Sequence, residues 1–146
     1  MRRISSTGRK NVICILADVN GLHEKNNQEG HAAGDVMLQA VAVAMAEAFG
    51  RENTFRFGGD EFVSIVFDTP RSDIEKRVEA VKKKLEDMGY FVSYGMAEKL
   101  TGGINSDRML MEAEKQMREA KACFYSNPEN SRCARLSENV NKSETL

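Results

Sequence analysis

Two carboxylates follow a pair of glycines in Phe57-Gly58-Gly59-Asp60-Glu61-Phe62. The glycines end one apolar run, 54–57, and the acids open another, 62–67. A Gly-Gly pair between two such runs reads as a tight β-hairpin with φ > 0 at both turn positions. The turn then sets Asp60 and Glu61 at the mouth of an apolar hairpin, where acids lose solvation unless a cation uses them. A divalent metal carrying phosphates is the fitting cation. A third acid, Asp18, closes an earlier apolar stretch. If the two strands are neighbours, Asp18 and Asp60 converge at one edge of a sheet. Two carboxylates, a backbone carbonyl and phosphate oxygens would together satisfy Mg²⁺. A pair of such ions activates an attacking hydroxyl and stabilises a leaving pyrophosphate. The plainer alternative is that Asp18 caps a turn and Asp60 sits in an ordinary hairpin turn. Spacing alone leaves both readings open.

The elements that must position these acids are legible as hydrophobic periodicity. Within residues 11–18 the apolar stretch, 12–17, is continuous rather than alternating, as in a strand covered on both faces. Residues 19–31 are polar and read as a loop with at most one short helical turn. From 32 to 49, Leu38, Val41, Met45 and Ala48 recur at helical spacing. After the hairpin, a second helix over 72–88 carries the stripe Ile74, Val78, Val81, Leu85 and Met88, with Gly89 as its stop. A strand over 91–97 follows, then a loop containing Thr101-Gly102-Gly103, and a helix over 106–124 with the stripe Leu110, Ala113, Met117, Ala120 and Phe124. Residues 1–10 read as a loose N-terminus, 11–126 as the domain, and 127–146 as a polar, disordered tail. The order β-α-β-β-α-β-α predicts an α+β sandwich, a sheet with helices packed on it, in a ferredoxin-like split βαβ arrangement.

Composition narrows the class. The chain has 146 residues, 41% hydrophobic and 29% charged, with net charge −1. This fits one soluble globular domain and argues against a nucleic-acid partner. No apolar run approaches the roughly 20 residues that span a bilayer, so no membrane segment is expected. Three scattered cysteines (Cys14, Cys123, Cys133) without metal spacing suggest a reducing, cytoplasmic setting, with Cys14 a buried thiol.

Further motifs sit around the acids: Asp18-Val19-Asn20, Asn26, Gly30-His31, Gly34-Asp35 and the hairpin itself. In that order, from about residue 11 to 121, they resemble the GGDEF domain of diguanylate cyclases. The resemblance implies a palm-like nucleotide cyclase fold with a mainly antiparallel central sheet. It implies condensation of two GTP into cyclic di-GMP, dependent on Mg²⁺ or Mn²⁺, by a homodimer acting under an upstream sensor or receiver. Carried over residue by residue, Asp18, the Val19 carbonyl and Asp60 hold metal. Asp60 and Glu61 are the catalytic acids, Asp60 as acceptor of the 3′-hydroxyl proton and Glu61 as an additional ligand. Asn26 and Asp35 hold guanine, Gly58 and Gly59 admit phosphates because a Cβ would intrude, and Lys121 reaches phosphate. His23 takes the place of a phosphate-contacting lysine.

The chain also departs from the family pattern. Asn20 and Asn27 stand where acids are usual. His23 is only partly charged near neutral pH; it also reads as a plain solvated loop residue. Cys123-Phe124-Tyr125 stands where Gly-Arg-Asn is common, so the arginine expected near Tyr125 is absent unless Arg132 or Arg135 folds back. Phe49 and Glu52 occupy the two ends of the family's inhibitory Arg-x-x-Asp, which is therefore absent, and Arg51 reads as solvated. The family's opening helix, with its Asp-x-Leu-Thr-Gly-Leu-x-Asn-Arg string, has no counterpart before residue 11, and its loss is expected to expose apolar surface. Three functions follow: a diguanylate cyclase, a catalytically weak module that binds GTP and regulates, and a related cyclase or nucleotidyltransferase with another base choice.

Overall fold

The computed structural model describes residues 11–100 and 106–126. Its order is β1 (Asn11–Val19), α1 (Leu22–Glu29), α2 (His31–Phe49), a 3₁₀ turn (Arg51–Asn53), β2 (Thr54–Arg56), β3 (Glu61–Phe67), α3 (Arg71–Asp87), β4 (Val92–Leu100) and α4 (Ser106–Ser126). The four strands form one antiparallel sheet in the order β2-β3-β1-β4. The expected α+β architecture is present.

Alternation along β1 splits the core in two. Ile13, Ile15, Ala17 and Val19 face α2 and α3, in a cluster with Val41, Met45, Ile74 and Leu85. Val12, Cys14 and Leu16 face α4, meeting Met109, Ala113 and Met117. All of β1 is buried, which is why its sequence is apolar without alternation. Helix α4 comes close to the sheet at Gly95 on β4, where a Cβ would fall 1.8 Å from the Ala113 carbonyl oxygen. Burial pushes the Cys14 thiol up to about 11.

Several expectations are corrected. The segment after Asp18 holds a two-turn helix, α1, rather than a loop with at most one short turn. Its polar sequence, Leu-His-Glu-Lys-Asn-Asn-Gln-Glu, has almost no apolar stripe, because it rests mainly on α2. Helix α2 has a mean hydropathy of 1.4 over 19 residues, long and apolar enough to cross a membrane by length and composition. No such run was expected, since Asp35 and Glu47 interrupt the apolar residues. One side of α2, including Met37, Val41 and Met45, is buried in the core. Neither Gly58 nor Gly59 has a positive φ, so the hairpin is not a two-glycine turn. Residues 57–60 form a longer loop, with the Phe57 and Gly58 N–H groups donating to the Glu61 carbonyl at 2.8 and 3.3 Å. By contrast Gly89 has φ +85° just past α3, as its stop position predicts. The 101–103 loop, the N-terminal ten residues and the tail lie outside the described residues.

Part of the sheet is left open. Phe55, Phe57 and Phe67 are more than half exposed. Phe55 pairs with Val63, and Phe67 lies four residues along the same strand, so both lie on the α4 side of the sheet, at the β2–β3 edge.

Candidate active site

Asp18 is the last even-numbered position of β1 and so points to the α4 face with Val12, Cys14 and Leu16. On α4, Met109, Ala113 and Met117 recur every four residues against that face, and Lys121 is the next in the series. The two rows meet at their ends: the Lys121 ammonium donates to Asp18 Oδ1 at 3.0 Å. Opposite Asp18 in the β1–β3 register stands Glu61. One residue further, the Val19 N–H donates to the Asp60 carbonyl at 2.9 Å, tying the hairpin loop to the end of β1. Thus oxygens of Asp18, Asp60 and Glu61 lie within 4.8 Å of one another.

The cluster has the electrostatics of a cation site. The Asp18 side chain is only 8% exposed. Burial pushes its carboxyl up to about 6; Lys121 opposes this through its hydrogen bond and charge, while Asp60 and Glu61 push further up. Three hard oxygen donors suit Mg²⁺ or Mn²⁺ and disfavour soft or nitrogen-preferring metals. The ammonium on Asp18 occupies the place where positive charge is needed. Donor chemistry and clustering both fit a divalent ion held by these acids.

The two glycines do not serve close packing within the chain. A Cβ on Gly59 would meet nothing within 4 Å, and one on Gly58 would make only ordinary contact with Glu61 at 3.8 Å. Any requirement for glycine here therefore comes from what docks on the loop. A residue that sequence reasoning missed holds this loop. Arg56 donates from Nε to the Gly58 carbonyl at 3.1 Å and from Nη2 to the Gly59 carbonyl at 2.5 Å. Its signal was an isolated cation inside the apolar run before the glycines.

Asn26 and Asp35 are brought to neighbouring places. Asn26, on α1, packs so closely on α2 that a Cβ on Gly34 would fall 1.8 Å from its Oδ1. That Oδ1 is buried without a hydrogen-bond partner. Asp35 is exposed one residue on, on the wall of a cleft of about 550 Å³ shared with Leu38, Arg51, Arg56 and Phe62. The cleft and the acid cluster lie on opposite sides of the hairpin loop: Phe62 belongs to the α2 face, Asp18 and Glu61 to the α4 face. Arg51 is exposed but forms part of this wall rather than standing apart. His23 is exposed on α1, with Nε2 3.2 Å from Asn27 Nδ2, a local contact one helical turn long. Asn20 is buried and its Oδ1 accepts from the Ser93 hydroxyl at 3.1 Å. Phe49, at the first inhibitory position, is a core residue. Arg132 and Arg135 lie outside the described residues.

The chain is similar to several known proteins. Diguanylate cyclase A of Treponema denticola is 26% identical over 134 residues, 88% of this chain and 36% of that protein. Diguanylate cyclase DosC of Escherichia coli K12 is 29% identical over 118 residues, 73% of this chain and 25% of that protein. The chain thus spans about a third and a quarter of these relatives. Among solved structures, the GGDEF domain of DgcB from Caulobacter crescentus, in complex with c-di-GMP, superposes with TM-score 0.71 at 19% identity, over 77% of this chain and 73% of that one. The diguanylate cyclase SiaD of Pseudomonas aeruginosa, in complex with its activator SiaC, gives TM-score 0.66 at 26% identity, over 81% and 48%. The family model for the diguanylate cyclase GGDEF domain matches residues 1–125, and the chain belongs to the GGDEF family.

Proposed function

We propose that the domain, residues 11–126, condenses two GTP into cyclic di-GMP with release of pyrophosphate. The observation that carries this reading is the convergence of Asp18, Asp60 and Glu61 within 4.8 Å at the end of the β1–β3 pair. Asp18, Asp60 and the Val19 carbonyl hold the divalent ion, with Glu61 as an additional ligand. When bound, Mg²⁺ or Mn²⁺ supplies charge neutralisation at the phosphates and lowers the pKa of the attacking hydroxyl. Asp60 accepts the 3′-hydroxyl proton. Asn26 and Asp35 take the guanine edge: a carboxylate accepts from N1–H and the 2-amino group, a pattern adenine does not offer. Gly58 and Gly59 let the phosphates approach the loop backbone closely, with Lys121 and His23 as flanking donors. Each domain carries one nucleotide, so two copies face each other about a two-fold axis, and the product forms between them.

A regulatory input from an upstream sensor, receiver or partner protein fits a domain whose relatives are several times longer. SiaD is seen with an activator. We place the domain in the cytoplasm, where GTP is available and thiols such as Cys14 and Cys123 remain free.

One observation favours a second reading, a GTP-binding regulatory module of weak turnover. His23, standing where the family carries a phosphate-contacting lysine, is engaged with Asn27. Incubation with Mg²⁺ and GTP at high protein concentration, with product analysis by mass spectrometry, separates the two. Cyclic di-GMP from the wild type and none from Asp60→Asn supports the cyclase. GTP bound without any product supports the regulatory module.

A further inference from the structure

The cation that the described residues bring to Asp18 is Lys121, donating to Oδ1 at 3.0 Å. Asp60 and Glu61 have no ion pair among the described residues. Arg56, the hairpin's own cation, is engaged by the Gly58 and Gly59 carbonyls. We infer that Lys121 is a built-in counter-cation that keeps free divalent metal off the acid cluster until a nucleoside triphosphate arrives to take the ammonium. Metal and nucleotide then load together rather than metal first. The inference rests on the reading of the cluster as a metal–nucleotide site.

The geometry makes the exchange feasible without refolding. Met109, Ala113 and Met117 anchor α4 in the core, so the Lys121 backbone is fixed. Its side chain is one-third exposed, against 8% for Asp18. The ammonium can therefore swing out on its flexible stem while Asp18 stays. A divalent ion arriving alone must evict the ammonium from an oxygen it needs and leave Lys121 unpaired beside new positive charge. A triphosphate removes that penalty. It chelates the same ion and offers several anionic oxygens as new acceptors for Lys121. Metal and nucleotide thus assist each other's binding, and the coupling is reciprocal. Lys121 acts on the metal through Asp18, so toward the metal it is a positioning residue.

Protein-bound Mn²⁺, measured by electron paramagnetic resonance, tests this on wild type, Lys121→Met and Asp60→Asn, each without nucleotide and with a non-hydrolysable GTP analogue. Methionine keeps an apolar stem and removes the charge. Lys121→Met is expected to bind Mn²⁺ alone roughly ten- to a hundredfold more tightly than wild type, the effect of deleting one charge a few Å from the ion. It is expected to bind the analogue more weakly, a split that a merely structural role would not produce. Asp60→Asn loses the Mn²⁺, which assigns it to this cluster. If Lys121→Met binds Mn²⁺ alone no more tightly than wild type, while both bind it with the analogue, the inference is overturned and the site reading stands. If Mn²⁺ stays unbound even with the analogue, the site reading itself fails. Should Lys121→Met not fold, wild type decides: equal Mn²⁺ affinity with and without analogue overturns the inference.

Discussion

At the scale of single residues, Asp18 is placed against the stability of the fold. The Asp18 carboxyl titrates near 3.8 when unfolded and is pushed up to about 6 by burial when folded. The folded state therefore holds an extra proton between those values, and stability falls as pH rises from about 4 to about 6. By neutral pH the charged form has cost about 3 kcal/mol. Asp18→Asn removes the charge and keeps an acceptor for Lys121. In metal-free urea denaturation at pH 7 it should be more stable than wild type by about 1–3 kcal/mol, with the gap closing below pH 4. Lower stability at pH 7 would show that the Lys121 pair outweighs burial. Gly59 makes the complementary case. Since a Cβ there meets nothing, Gly59→Ala should leave the melting temperature within about 2 °C of wild type. It should nonetheless weaken GTP binding, read by calorimetric titration. Unchanged affinity would mean that no phosphate approaches this loop closely.

At the scale of elements, the site depends on where α4 sits relative to β1, and that is set by Gly95. Gly95→Ala would drive a methyl into the Ala113 carbonyl and the Met117 amide, both backbone. The helix has to shift, so a loss of about 2–4 kcal/mol is expected in urea denaturation. With α4 displaced, Lys121 no longer reaches Asp18. Wild-type stability would mean that this contact relaxes at no cost. Such a contact shows what a sequence conceals. The strands and three long helices were legible because burial on one or both faces writes a period into the apolar residues. Asp18 and Asp60 were legible because acids at strand ends are conspicuous. Helix α1 was not, since it touches little besides α2 and carries no stripe. The hairpin turn was misread because Gly-Gly admits several turns, and the Arg56 side chain, not positive φ, holds this one. The contact of Lys121 with Asp18 was not legible, because the two lie 103 residues apart and only strand and helix register together bring them into contact.

At the scale of the whole molecule, the proposed reaction is incomplete in one copy. Among its described residues a single domain offers one such acid cluster, with a cleft beside Asp35, whereas the cyclic product needs two phosphodiester bonds. Turnover per protomer should therefore rise with protein concentration until the dimer is saturated. The stronger test is a mixture. If Asp60→Asn is inactive but still dimerises, random pairing of equal amounts leaves a quarter of the dimers fully wild type, and activity per wild-type protomer falls to about half. Mixed dimers can form at most one bond, so a linear dinucleotide should accumulate beside the cyclic product in the mass spectrum. Undiminished activity per wild-type protomer, with no linear product, would mean that one domain completes both bonds. The two-fold arrangement would then play no part in the chemistry.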